Sequence, residues 1–157
     1  REDRGPPSLD AIPDRGRAGA RPSQDQWAPG ADVKLLHTCL RVYDLDRSLD
    51  FYVNKLGFEL KRKFDLPGAG ATLAYVSPPG QDYEIELTYN HGRGFSYTVG
   101  NGYAHMAIEV DDLDRVHRDW SARGVYFRKP PGRIGTGTRI AFALDPDGYN
   151  LELIERK

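Results

Sequence analysis

From residue 34 onward, apolar and polar positions alternate in patterns that predict strands and helices in a fixed order. Over 34–42 the apolar residues Leu36, Leu40 and Val42 fall on one face, and His37 and Arg41 fall on the other. This alternation with a period of two predicts a strand that is half buried, with one face against a core and one face open.

Two helical patterns interrupt the strands. Asp44 can cap the first helix, whose apolar residues recur at helical spacing, and Gly57 ends it. Asp112 and Gly124 have the same places around the second helix. The other apolar runs predict strands over 58–64, 71–76, 83–89, 103–110, 125–128, 138–144 and 149–154.

The order of predicted elements is therefore βαβββ, twice, in modules of about 33–90 and 102–156. This predicts an α+β fold in which two tandem βαβββ modules form a curved eight-stranded sheet assembly, as one domain over 31–157. Each module would bury one sheet face under its own helix and leave the other face free.

The two modules also repeat in sequence. His37 and His105 each stand seven residues before an Asp-Leu-Asp-Arg segment. Glu86 follows His37 by 49 residues, and Glu152 follows His105 by 47, each within a Tyr-x-Ile/Leu-Glu-Leu segment. An internal repeat of this size indicates two copies of one supersecondary unit.

Composition and charge limit which partners and which compartment are expected for the chain. The net charge of −1 over 157 residues gives no reason to expect a nucleic acid as a partner. Cys39 is the one cysteine, so the chain has no internal disulfide, which suits a reducing compartment and a cytoplasmic protein. No apolar run approaches the roughly 20 residues that a membrane span needs, so we expect no membrane association.

Residues 1–30 differ from the rest of the chain. They are rich in proline and glycine, their arginines balance their acidic residues, and their few apolar residues show no period. Such a segment cannot bury enough surface to offset the entropy of ordering it. We expect an N-terminal extension that is disordered or lies along the domain.

The repeated histidines and glutamates are the candidate chemistry. Strand alternation places His37, Glu86, His105 and Glu152 opposite the apolar residues of their strands, so all four can point to the free faces of the sheets. A buried carboxylate is costly unless it is paired or binds a metal. A single histidine there is more often a hydrogen-bonded core residue, but two imidazoles and two carboxylates in register suit Zn²⁺, Ni²⁺, Co²⁺, Mn²⁺ or Fe²⁺.

Four segments carry a resemblance to glyoxalase I (lactoylglutathione lyase), of the vicinal oxygen chelate superfamily. The resemblance covers about three quarters of the chain, from about 35 to 155, and its segments are 35–42 (LLHTCLRV), 85–90 (IELTYN), 102–105 (GYAH) and 145–155 (DPDGYNLELIE).

The resemblance implies that His37, Glu86, His105 and Glu152 bind one divalent metal ion per site. Because the chain lacks the inserted segments of the zinc-type enzymes, the resemblance favours nickel or cobalt, with zinc as an alternative. It also implies a homodimer in which each site takes one half from either subunit.

For the substrate, the resemblance implies that Arg41 and Asn90 hold glutathione. Related enzymes carry a lysine where Ile134 stands, and the neighbouring Arg133 could serve the same anionic group after a shift of one residue.

The activity that the resemblance implies is isomerisation of the hemithioacetal of methylglyoxal and glutathione to S-lactoylglutathione, which detoxifies methylglyoxal. The metal would act as a Lewis acid, and a carboxylate would carry a proton from C1 to C2 of the substrate. Glu152 is the expected base because the base of the family lies in this last strand. Glu86 is its equivalent in the first module, and a symmetric site could let either carboxylate act.

Three alternatives stay open. A thiol transferase or a ring-cleaving dioxygenase of the superfamily would use two histidines and one glutamate, which leaves Glu86 unexplained. An acyl-CoA epimerase is closer but usually carries glutamine at that position. A metal-free protein that sequesters small molecules shares the fold, and it would leave all four ligand-type side chains unexplained.

Overall fold

In the computed structural model, residues 33–135 and 137–156 are described. They form two separate four-stranded sheets, one in each half of the chain. The predicted extension over 1–30 lies outside the described residues. Leu35–Lys157 forms one compact unit.

The first module has the predicted βαβββ order, and its sheet has the strand order β1-β4-β3-β2. Its outer strand β1 runs parallel to β4, and the other neighbours are antiparallel. Its elements are β1 (His37–Val42), α1 (Leu45–Leu49) continued by a π-helical turn (Asp50–Lys55), β2 (Glu59–Leu66), a 3-10 turn (Pro67–Ala69), β3 (Ala71–Ser77) and β4 (Glu84–Asn90).

The second module repeats this topology in the order β5-β8-β7-β6, again with its first strand parallel to its last. The α+β class and the two tandem βαβββ modules are thereby confirmed. The elements are β5 (Met106–Glu109), α2 (Leu113–Ala122), β6 (Tyr126–Ile134), β7 (Thr138–Leu144) and β8 (Asn150–Glu155).

The two helices begin and end in the same way. The carboxylate of Asp44 accepts the backbone N–H of Arg47 at 3.0 Å, and that of Asp112 accepts the backbone N–H of Arg115 at 2.8 Å. Satisfying these otherwise unpaired N–H groups fixes where each helix starts. The equivalent glycines after the helices, 57 and 124, have φ of 82° and 81°, a region that favours glycine.

The modules share one hydrophobic core. Leu40 and Val42 from β1 and Leu151 and Leu153 from β8 belong to the same buried cluster as Trp120 of α2. We call the sheet face toward this cluster the core face and the opposite face the site face. Since side chains alternate along a strand, the site faces of both sheets turn away from the shared core.

Polar contacts also join the modules. The carboxylate of Asp147, in the turn before β8, accepts the backbone N–H of Tyr43 at 2.9 Å and the Ser48 hydroxyl at 3.3 Å. Arg47 donates to the Pro146 carbonyl at 2.9 Å. No strand pairing links the two sheets over residues 33–135 and 137–156, so side chains and turns hold the modules together.

Candidate metal centre

The first half of the candidate centre lies on the site face of the first sheet. His37 in β1 and Glu86 in β4 come from adjacent parallel strands, and the imidazole Nε2 is 3.1 Å from the carboxylate Oε2. The His37 side chain is 34% exposed and that of Glu86 only 11%. The His37 imidazole is therefore partly open to solvent, whereas the Glu86 carboxylate is largely covered by its neighbours.

The second half has the same geometry. His105 lies just before β5 and Glu152 lies in β8, and their Nε2 and Oε2 atoms are 3.0 Å apart. Their side chains are 38% and 13% exposed, close to the values of the first pair. The structure thus brings the four predicted ligands together as two equivalent pairs.

Hydroxyl groups hold the Glu86 carboxylate from two sides. Tyr75 donates to Oε2 and Thr88 to Oε1, both at 2.6 Å. Burial raises the pKa of Glu86, but hydrogen bonds from Thr88, Tyr75 and Cys39 and the nearby His37 outweigh it, so the pKa lies below its ordinary value. The carboxylate form is the one that can bind a cation.

Around Glu152, apolar side chains take the places that Tyr75 and Thr88 have around Glu86. The cross-strand partner of Glu152 in β7 is Phe142, whose ring lies 5.7 Å from the His105 ring. Ile154 follows on the same face of β8. Within 33–135 and 137–156, His105 is the side chain that meets this carboxylate in a hydrogen bond or ion pair.

The two pairs fit a metal ion by their chemistry and spacing. Imidazole nitrogen and carboxylate oxygen are ligands for first-row divalent metals, at bond lengths of about 2.0–2.2 Å. Two such ligands at a right angle around one ion stand about 3 Å apart, as the nitrogen and oxygen do in both pairs.

The two His–Glu pairs do not form one cluster within this chain. Over the described ranges, no three His, Cys, Asp or Glu side chains lie close enough together to hold a metal ion. Each pair lies on a site face that turns away from the core that the two modules share. The four predicted ligands therefore do not meet within this chain, because the modules pack through their core faces.

Two of the three predicted substrate residues, Arg41 and Asn90, lie on the site face of the first module. Arg41 is exposed on β1, four residues beyond His37 on the same face. Asn90 ends β4 on the face of Glu86 and donates to the Tyr97 hydroxyl at 2.6 Å. The structure brings both to the site face of the first module.

Arg133 lies elsewhere. Its cross-strand partner is Arg139, which binds Asp114 of α2 at 2.7 Å and Glu155 at 3.2 Å. Directly opposed residues in an antiparallel pair share a face, so Arg133 lies on the core face. It is Ile134, one residue on, that falls on the site face.

Two cations that the sequence analysis missed lie on the site face of the second module. Lys129 is the cross-strand partner of Phe142, and its Nζ lies 6.0 Å from the centre of that ring. The Arg128 guanidinium lies 5.8 Å from the same ring. A register shift between Phe127 and Lys129 sets the faces of these side chains, and the alternation of apolar residues in the sequence does not predict it.

The sequence matches known proteins over most of its length. The sequence profile of the Glyoxalase/Bleomycin resistance protein/Dioxygenase superfamily matches residues 34–153. Lactoylglutathione lyase of Salmonella typhimurium is 44% identical over 128 residues, which is 80% of this chain and 94% of that protein. A lactoylglutathione lyase of Arabidopsis thaliana is 38% identical over 134 residues, which is 83% of this chain and 47% of that protein.

The fold matches as well. The crystal structure of glyoxalase I from Zea mays superposes with a TM-score of 0.72 at 39% identity, over 78% of this chain and 44% of that one. The chain belongs to the Glyoxalase/Bleomycin resistance protein/Dioxygenase superfamily. Within it, the chain is similar to the lactoylglutathione lyases, as the sequence motifs predicted. It spans about half the length of the plant relatives that it matches.

Proposed function

We propose that the protein is a lactoylglutathione lyase, which isomerises the hemithioacetal of methylglyoxal and glutathione to S-lactoylglutathione. The observation that carries the proposal is the pair of His–Glu sets, which repeat with nearly the same spacing on equivalent strands. Similarity to lactoylglutathione lyases over most of the chain supports it.

The proposed active site is shared by two copies of the chain. His37 and Glu86 from one subunit would face His105 and Glu152 from its partner, and a dimer would hold two such sites. The separation of the two pairs within one chain supports this arrangement. Two-fold symmetry then completes both sites with one interface.

In this site Glu152 is the proposed base. Its carboxylate would take the proton from C1 of the hemithioacetal and return it to C2, so the reaction is an internal proton transfer with no net oxidation. A bound divalent metal would supply Lewis-acid polarisation of the two neighbouring substrate oxygens. His37, Glu86 and His105 would hold the metal throughout.

Positive and polar groups on the site faces would hold the glutathione part. Arg41 offers two parallel N–H donors that match a carboxylate, and Asn90 offers an amide close by on the neighbouring strand. In the second module, the Arg128 guanidinium and the Lys129 Nζ lie 5.8 and 6.0 Å from the centre of the Phe142 ring, which also contacts the His105 ring.

The test is activity of a demetallated sample with methylglyoxal and glutathione while metals are added back one at a time. We expect no turnover without metal and recovery with a divalent ion, with nickel or cobalt above zinc. A sample that stays inactive with every metal would contradict the proposed reaction. Turnover of acyl-CoA epimers would then support the epimerase alternative.

A further inference from the structure

The register of the strands makes Glu86 and Glu152 equivalent in position. Glu86 lies between Tyr75 of β3 and Cys39 of β1, which are its two cross-strand partners. The repeat therefore allows the surroundings of two glutamates at the same backbone position to be compared. What differs between them is the set of neighbouring side chains.

The neighbours of Glu86 are polar, and the side chains at the equivalent positions around Glu152 are apolar. In the second module Phe142 replaces Tyr75, Ala107 replaces Cys39, and Ile154 replaces Thr88. Every polar hydrogen that reaches Glu86 from these positions is thus missing around its counterpart.

The hydroxyls on Glu86 occupy both of its oxygens. Oε2 accepts from Tyr75 and Oε1 accepts from Thr88, each at 2.6 Å. Hydrogen bonds to an ionised carboxylate are short and roughly twice as strong as neutral ones. Rotating this carboxylate away from His37 would break both of them.

The Tyr75 ring is itself fixed. The Arg62 guanidinium lies 3.6 Å from the ring centre, and Phe64 stacks at 6.1 Å with an interplanar angle of 16°. His37 meets the ring edge at 5.5 Å. A ring held on three sides presents its hydroxyl in one place, so the hydrogen bond to Glu86 is preorganised.

We propose that Tyr75 and Thr88 are positioning residues that fix Glu86 as a permanent metal ligand, a role that Phe142 and Ile154 at the equivalent positions cannot perform for Glu152, the proposed base. This rests on the proposed function. The divergence of the neighbours, rather than the ligands themselves, then assigns different tasks to two carboxylates in equivalent positions.

Metal binding without substrate tests the positioning role. In full-length protein we expect Tyr75→Phe combined with Thr88→Val to weaken Co²⁺ binding by about 10- to 100-fold, the usual cost of losing groups that orient a metal ligand. The absorption spectrum of bound Co²⁺ should shift, since Glu86 would rotate. Thr88→Ser keeps a hydroxyl and should bind as the unchanged chain does.

Tyr83→Phe is the matched control, because its hydroxyl bonds Thr38 and lies outside the Glu86 network. It should leave Co²⁺ affinity unchanged. Thermal unfolding of the metal-free variants separates misfolding from lost positioning, and Thr88→Val alone replaces the double variant if that one fails to fold.

The reverse substitutions test the freedom of Glu152. Phe142→Tyr with Ile154→Thr supplies hydroxyls at the equivalent positions, so we expect Co²⁺ affinity to be kept while kcat falls by about 10-fold or more. Unchanged Co²⁺ affinity and spectrum in Tyr75→Phe/Thr88→Val would overturn the proposal, as would a chain that binds no metal. A chain that binds Co²⁺ but lacks isomerase activity would refute the reaction alone, since affinity is measured without substrate.

Discussion

The buried hydroxyl of Tyr52, in the π-helical turn of the first module, donates a 3.0 Å hydrogen bond to Oδ2 of Asp145, at the turn before the last strand of the second module. The other oxygen of Asp145 accepts the backbone N–H groups of Asp147 and Tyr149 at 3.0 and 2.8 Å. Burial raises the pKa of Asp145 from 3.8 to about 6, because these hydrogen bonds only partly offset the cost of desolvating the charge.

Asp145 should therefore make stability depend on pH. Its pKa is higher in the folded than in the unfolded chain, so its contribution is fully present below about pH 3.8 and is lost as pH rises through about 6. Between pH 5 and pH 7 we expect the unchanged chain to lose about 1 kcal/mol of unfolding free energy relative to Asp145→Asn.

Urea unfolding at several pH values measures this difference. Asp111→Asn, at an exposed position, is the control and should track the unchanged chain. A difference between Asp145→Asn and the unchanged chain that stays constant from pH 5 to pH 7 would contradict the raised pKa.

Glu152→Gln and Glu86→Gln should differ in turnover per bound metal. Glutamine keeps the shape and one oxygen but lacks the basic site, so Glu152→Gln should lose about 10²-fold or more in kcat per bound metal. Glu86→Gln should lose less. Metal is counted in the same samples as the rate. If Glu86→Gln has no measurable activity while Glu152→Gln keeps a normal kcat per bound metal, the base is Glu86.

Arg41→Ala should raise KM for the hemithioacetal about 10-fold or more, since hydrogen bonds to charged groups contribute about 1.5–3 kcal/mol. Its kcat should fall less, which is the mark of binding lost equally in ground and transition states. Arg118→Ala, an exposed arginine of α2, is the control. An unchanged KM in Arg41→Ala would remove Arg41 from the substrate site.

Lys129→Ala should raise KM more than Arg133→Ala does. Lys129 shares the face of Phe142 and Glu152, whereas Arg133 lies opposite Arg139 on the core face. Steady-state kinetics of the two variants decide between them. A larger effect of Arg133→Ala would mean that the end of β6 rotates when substrate binds, so that Arg133 reaches the site face.

Mixing two inactive variants tests the shared site. His37→Ala/Glu86→Ala lacks one half of every site and His105→Ala/Glu152→Ala lacks the other, so each alone should be inactive. In a mixed dimer one site receives both intact halves, and random exchange should restore about one quarter of the complete sites. Activity and bound metal are measured after unfolding and refolding the mixture, and no recovery would argue against a site shared between chains.

The sequence predicts the fold because local patterns and the repeat agree. Alternation places His37 and Leu40 on opposite faces of β1, and the caps at Asp44 and Asp112 fix both helices. It does not predict the π-helical turn at Asp50–Lys55, because the spacing of apolar residues is the same as in a regular helix.

The end of β6 shows why the candidate site is predicted only in part. The sequence predicts a strand over 125–128, yet β6 continues through Pro130 and Pro131 to Ile134, because it is an edge strand that tolerates a missing N–H. The register shifts along it then decide the face of Arg133. Alternation likewise gives the face of each predicted ligand but not which faces meet, so the separation of the two His–Glu pairs becomes visible only in three dimensions.

Because each sheet closes within its own half of the chain, the first module can fold while the ribosome is still making the second. Its first strand pairs with its last, β4, which is complete at Asn90. Until the second module arrives, however, Leu40, Val42 and Leu87 lack the side chains that complete their core. The nascent chain would therefore carry an open apolar surface while residues 91–156 are made, about 3–13 s at about 5–20 residues per second.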